Sequence, residues 1–199
     1  MKYRHSIINI ISAACVSMTM LLSSCNGESE YSSQHECYFL FDTSIHNTSI
    51  IKNVLITKEP GKFVKISQSQ KNGILCVDEE LNDGKTKESN KITTAKETQR
   101  KYTLGIYNGI IVGYSSLGNG LYAFDNICPN CYDAGRYQQL TWDNNGTRVK
   151  CSRCQRTYDL NNGGIIVTGE QGAKLIRYMA QYTGGIGGIG GILVVHNKQ

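Results

Sequence analysis

Proline occurs twice and histidine four times in 199 residues, and charged side chains make up only 19% of the chain. So little proline beside 12 Tyr and 21 Gly favours a fold of strands and turns. The charge is too weak and too scattered for a nucleic-acid surface: beyond residue 24, nineteen basic residues face sixteen acidic ones. No apolar run is long enough to span a membrane, because the stretch from Ile7 to Leu22 is interrupted by small polar residues. His35, His46 and His196 are dispersed, none near a cysteine pair, and read as ordinary surface or strand residues. No Ser-His-Asp or paired-carboxylate arrangement can be argued. The glycine run at 184–191 lacks a strand-to-helix setting and a Lys-Ser/Thr pair, so it reads as a hairpin loop and not a phosphate cradle. Hydrophobic residues at 40% are enough to build the core of one domain.

The first 25 residues set the compartment. Lys2, Arg4 and His5 precede the apolar stretch, which ends in Leu22-Ser23-Ser24-Cys25. This shape is that of an export signal, and small residues directly before a Cys resemble the lipobox of bacterial lipoproteins. The resemblance implies cleavage after Ser24 and a lipid on Cys25, with membrane lipid as the first partner. Asn26 in place of Asp implies the outer membrane of a Gram-negative cell envelope. More than one acyl chain gives stable anchoring. Residues 25–36 are polar and read as a tether, and residues 37–199 as the folded domain.

Strands are expected at 37–41, 54–56, 63–66, 104–107, 110–114, 121–124, 165–168, 175–182 and 192–195, from their β-branched and aromatic residues. Glu59-Pro60-Gly61 and Asn108-Gly109 supply turns. Residues 78–101 are nearly all polar and read as an exposed loop or a short, weakly held helix. No segment shows a convincing helical period, so the expected architecture is all-β.

Six cysteines remain beyond Cys25. Cys128-Pro129-Asn130-Cys131 and Cys151-Ser152-Arg153-Cys154 are two Cys-x-x-Cys turns separated by a span typical of zinc sites. Each such turn aims two sulfurs at one centre, so Cys128, Cys131, Cys151 and Cys154 form a candidate tetrahedral thiolate set. Two local disulfides are the alternative in an oxidising compartment. Cys37 and Cys76 are left over, and a disulfide between them is expected, since each borders a strand.

Residues 121–129, 149–154 and 158–164 together resemble a Rieske domain. In that family a Cys-x-His loop and a Cys-x-x-His loop are followed by an aromatic-Asp pair, here Tyr158-Asp159, and a glycine turn, here Gly163-Gly164. Cys128 and Cys151 match the family's cysteine ligands, while Cys131 and Cys154 stand at or near its histidine positions. The first turn has two intervening residues where the family has one, and Gln155 stands where the family has Gly. The match runs over about residues 104–196. It implies an antiparallel β-sandwich with a small four-cysteine metal-binding subdomain at about 125–163.

Replacing both histidines by thiolates lowers the potential of an iron cluster, so the family's high-potential role does not carry over. Clusters are generally inserted before export, through a twin-arginine signal, and residues 1–24 hold only Arg4. Structural zinc in a non-catalytic module is therefore the leading expectation. An electron-transfer protein with a [2Fe–2S] cluster or mononuclear iron is the first alternative, and a thiol–disulfide redox protein the second. Four protein ligands leave no open position for a metal-bound water, which argues against an enzyme.

Overall fold

The computed structural model describes residues 30–118, 120–143, 146–184 and 190–198. The expected signal segment and the expected lipid site, Cys25, lie outside the described residues. No described helix is long and apolar enough to cross a membrane.

Among the described residues, twelve strands form two antiparallel sheets. The first three are β1 (Tyr38–Asp42), β2 (Phe63–Lys71) and β3 (Ile74–Leu81). β4 (Lys87–Lys91), β5 (Ile110–Tyr114) and β6 (Leu121–Asp125) follow. The small sheet contains β7 (Leu140–Asp143), β8 (Arg148–Cys151), β9 (Thr157–Asp159) and β10 (Ile165–Thr168). β11 (Arg177–Gly184) and β12 (Gly191–His196) return to the large sheet. Its order is β1-β12-β11-β6-β5-β2-β3-β4, and the small sheet's is β10-β9-β8-β7. The fold is all-β, as composition predicts.

The large sheet curls around one core. Phe39 and Phe41 of β1 share that core with Val64, Ile66 and Val77 of β2 and β3, from the far side of the strand order. The period of two then builds a second core on the opposite face. Ile110 and Val112 face the first core, while Ile111 between them joins Phe63 and Phe124 in the second. All five residues of β5 are buried. Leu140, Val149, Tyr158 and Leu160 of the small sheet and its connections close the second core. Each fully buried side chain of this size contributes about 1.5–3 kcal/mol. This second core holds the small sheet, and the cysteines it carries, against the large one.

Several local expectations are corrected. Residues 54–56 lie not in a strand but in the helix α1 (Ile50–Thr57). Ser49 caps it by accepting from Lys52 N–H, Lys58 ends it at φ 50, and Ile50, Ile51, Val54 and Leu55 form its buried face. The polar stretch 78–101 is neither a loop nor weakly held. It completes β3, forms β4 and ends in the short helix α2 (Ala95–Thr98). Glu79, Asn90 and Glu97 from it are all buried. Glu79 accepts from Ser49 Oγ at 2.8 Å, Ile51 N–H at 3.1 Å and Asn90 Nδ2 at 2.8 Å, while Glu97 meets His46 Nε2 at 2.7 Å. Hydrogen bonding makes their burial tolerable.

Residues 104–107 form a turn instead of a strand, closed by Gly109 N–H donating to Leu104 O at 2.7 Å. Residues 31–36, tether-like in composition, are fastened to the fold. Ser32 N–H donates to Arg177 O at 2.8 Å, and Ser32 O accepts from Lys198 N–H at 2.7 Å. Cys37 and Cys76 are both buried free thiols, and five strands separate β1 from β3 in the sheet order. The expected Cys37–Cys76 disulfide is not formed.

Candidate metal centre

Two short backbone motifs aim the four cysteines at one point. Cys128 is the N-cap of the helix α3 (Pro129–Asp133), with Pro129 in its first turn, where a missing N–H costs nothing. The helical turn brings Cys131 back beside Cys128. The second motif leaves the end of β8: Cys151 O accepts from Gln155 N–H at 3.0 Å, and Cys151 N–H donates to Arg156 O at 2.9 Å. Gln155 sits at φ 62, in the left-handed region. That is the position at which the resembled family carries Gly.

The four sulfurs all lie within 4.8 Å of one another. Two contacts run between the motifs, Cys128 to Cys154 at 3.6 Å and Cys131 to Cys151 at 3.6 Å. All four sequence-assigned residues therefore converge, and together they could hold one metal ion. Cys128, Cys131 and Cys151 are buried, and Cys154 is half-buried. In each motif the first sulfur accepts from the backbone N–H of the second cysteine, at 3.5 Å for Cys151.

Burial pushes the Cys128 and Cys131 thiols above their ordinary value. Cys154 goes the other way. Burial works upward on it too, but hydrogen bonds from the Arg156 backbone and guanidinium, with those from Cys151 and Cys128, bring it down to about 6. Arg156 is itself braced by Glu170, 3.0 Å away. A bound cation would stabilise the thiolate at every position, since a coordinating thiol gives up its proton.

Three neighbours were not assigned roles by sequence reasoning. The Tyr158 hydroxyl is 3.2 Å from Cys128 Sγ and accepts from Asn130 Nδ2 at 3.0 Å. Asn130 also donates to Ala173 O at 2.8 Å and accepts from Ala173 N–H at 2.9 Å, which pins the segment after β10 beside the cysteines. Gly172 permits that approach, since a Cβ there would collide with the Asn130 carboxamide. The signals were present: Asn130 lies between two cysteines, Arg156 follows the second pair by two, and Tyr158 belongs to the aromatic-Asp pair. Their partners are set only by the fold.

The arrangement offers four soft donors and no acid–base pair. No family model, curated protein or solved structure matches this chain.

Proposed function

We propose that this chain is an exported lipoprotein, anchored through Cys25, whose Cys128, Cys131, Cys151 and Cys154 hold one structural zinc ion with no catalytic role. The observation that carries the metal is the convergence of four sulfurs within 4.8 Å. Zinc–sulfur bonds of about 2.3 Å in a tetrahedron require sulfur–sulfur edges of about 3.8 Å. The two contacts at 3.6 Å fit that figure. A [2Fe–2S] cluster divides its thiolates between two irons joined by sulfides, so thiolates on different irons stand farther apart than those on one ion. Compactness therefore favours a single ion. Four protein ligands close the coordination sphere, as structural sites do.

The Rieske-like reading belongs to the same proposal. Its support is the residue pattern from 121 to 164 and a small cysteine-bearing sheet set against a larger one. Mononuclear iron is a second reading, because it takes the same four thiolates. The Tyr158 hydroxyl beside Cys128 Sγ favours it, since a hydrogen bond to a ligating sulfur tunes a reduction potential.

Elemental analysis of the natively exported protein is the test. One equivalent of zinc and a colourless solution support the proposal. A single iron establishes the second reading, and two irons with acid-labile sulfide restore a cluster. No metal, with the four cysteines mapped as two local disulfides, rejects every metal reading.

A further inference from the structure

The four cysteines do not meet solvent alike. Cys128 and Cys151 are fully buried and Cys131 is 4% exposed, whereas Cys154 is half-buried. An oxidant arriving from solvent therefore reaches Cys154 first. The Arg156 guanidinium bonds that sulfur. It is itself fastened to the segment after β10, by Nε to Glu170 O at 2.8 Å and Nη2 to Gln171 O at 3.2 Å. A fixed cation beside an attacked peroxide favours the departure of hydroxide.

A second sulfur stands next to the accessible one. Cys128 Sγ lies 3.6 Å from Cys154 Sγ, and a disulfide needs about 2.05 Å, an approach of roughly 1.5 Å. The Tyr158 hydroxyl at 3.2 Å and the Cys131 N–H both hold Cys128 Sγ in that position. An accessible sulfur beside a resolving one is the arrangement of oxidation-sensing cysteines.

We propose that the metal centre is an oxidation switch, in which an oxidant of the peroxide class joins Cys154 to Cys128 and expels the zinc. The inference rests on the four-thiolate zinc reading above. The Cys154 thiolate attacks one peroxide oxygen: an S–O bond forms, the O–O bond breaks and hydroxide leaves. The Cys128 thiolate then attacks the sulfenic sulfur: the S–S bond forms, the S–O bond breaks and a second hydroxide leaves. Solvent protons turn both hydroxides into water. The two sulfurs lose two electrons in all, and one peroxide gains them. Two thiolates are left to the ion, too few to close its coordination sphere.

The new bond runs between the motifs and spans 26 residues of sequence. A bond inside one Cys-x-x-Cys turn closes only that turn and ties the two motifs together nowhere. The Cys128–Cys154 bond keeps α3 joined to the turn after β8 once the metal has gone, so the small sheet holds its place while the zinc is discharged.

Full-length protein is reduced, loaded with one equivalent of zinc and treated with hydrogen peroxide. A chromogenic chelator reads the released zinc, and non-reducing peptide mapping reads the bonds. Failure to take up zinc rejects the zinc reading and this proposal with it. With zinc bound, the expected result is zinc release in step with a Cys128–Cys154 disulfide, while the buried Cys37 and Cys76 stay reduced. Dithiothreitol with added zinc should restore the starting form. Amide exchange in β7, β8 and β9 should stay within about tenfold of the zinc form, and should be faster in reduced protein stripped of metal by a chelator. Three outcomes overturn the proposal and leave the zinc reading intact. They are zinc retained under excess peroxide, a first disulfide inside either Cys-x-x-Cys turn, and Cys154 carried to sulfinic acid while Cys128 remains a thiol.

Discussion

The Tyr158 hydroxyl lies 3.2 Å from Cys128 Sγ and is held there by Asn130 Nδ2 at 3.0 Å. Burial pushes the Tyr158 phenol above its ordinary value, so it keeps its proton and donates to the sulfur. Partners of this kind fix a ligand's orientation and are worth about tenfold to a hundredfold in metal affinity. Tyr158→Phe should therefore weaken metal retention by about tenfold in competition with a chelator. An unchanged competition curve would show that the contact is packing alone.

Cys151→Ser is expected to lower metal content and loosen the small sheet. Cys151 pairs with Leu140 across β7 and β8 and is fully buried in the second core. Metal ligation contributes folding free energy directly. Hydrogen exchange should quicken for the amides of β7, β8 and β9, while those of β2 and β5 stay protected. Equal quickening throughout would mean that the two sheets unfold together.

Glu79→Ala should destabilise the protein by about 3 kcal/mol, because it strands Ile51 N–H and Asn90 Nδ2 without their acceptor. It also removes the anion at the start of α1, where the helix favours negative charge. Chemical denaturation reads the loss. A change below about 0.5 kcal/mol would show that these donors find other partners.

The sequence showed the strands whose apolar residues alternate or run together, such as β1, β5, β6 and β12. It also showed the four convergent cysteines, because a Cys-x-x-Cys turn is a local motif. β4 was hidden because all five of its residues are polar or charged, with no apolar residue to mark a face, although Asn90 is buried. The buried roles of Glu79, Glu97 and His46 were hidden for a related reason. Their partners lie 30, 51 and 51 residues away, and nothing in a short window marks them. Helix α1 was legible in principle, from Ser49 and the spacing of Ile50, Ile51, Val54 and Leu55, but its short run of Val54, Leu55 and Ile56 also fits a strand.

Lys65 gives the protein a pH signature. Burial is the largest influence and lowers its ammonium to about 8 from 10.5, against the opposing pull of Glu80. Between those values the unfolded chain holds the proton more firmly than the folded one, so stability rises with pH. The penalty is fully present below pH 8 and is relieved as pH climbs from about 8 to 10.5. Trp142 emission should titrate with a midpoint near 8, because the ammonium sits over its ring. The step should vanish in Lys65→Met. A step that survives the substitution would assign it to another group.

Lipidation is tested at Cys25. Wild type is expected to incorporate a labelled fatty acid covalently, and Cys25→Ala to stay unlabelled and uncleaved. Wild type that takes up no label would exclude the anchor.

The pairing of β1 with β12 bears on the order of assembly. Tyr38 faces His196, and Cys37 N–H donates to the Asn197 side chain 160 residues away. Synthesis delivers β1 first and β12 last, so apart from a single bridge from Tyr38 to Thr103 the opening strand waits unpaired for almost the whole chain to appear. Closing so large a loop is slow, because its entropy is lost before the contacts form. Through that interval Phe39 and Phe41 have no β12 beside them. Truncation within β12 would leave the same edge open permanently and turn a folding delay into an aggregation hazard.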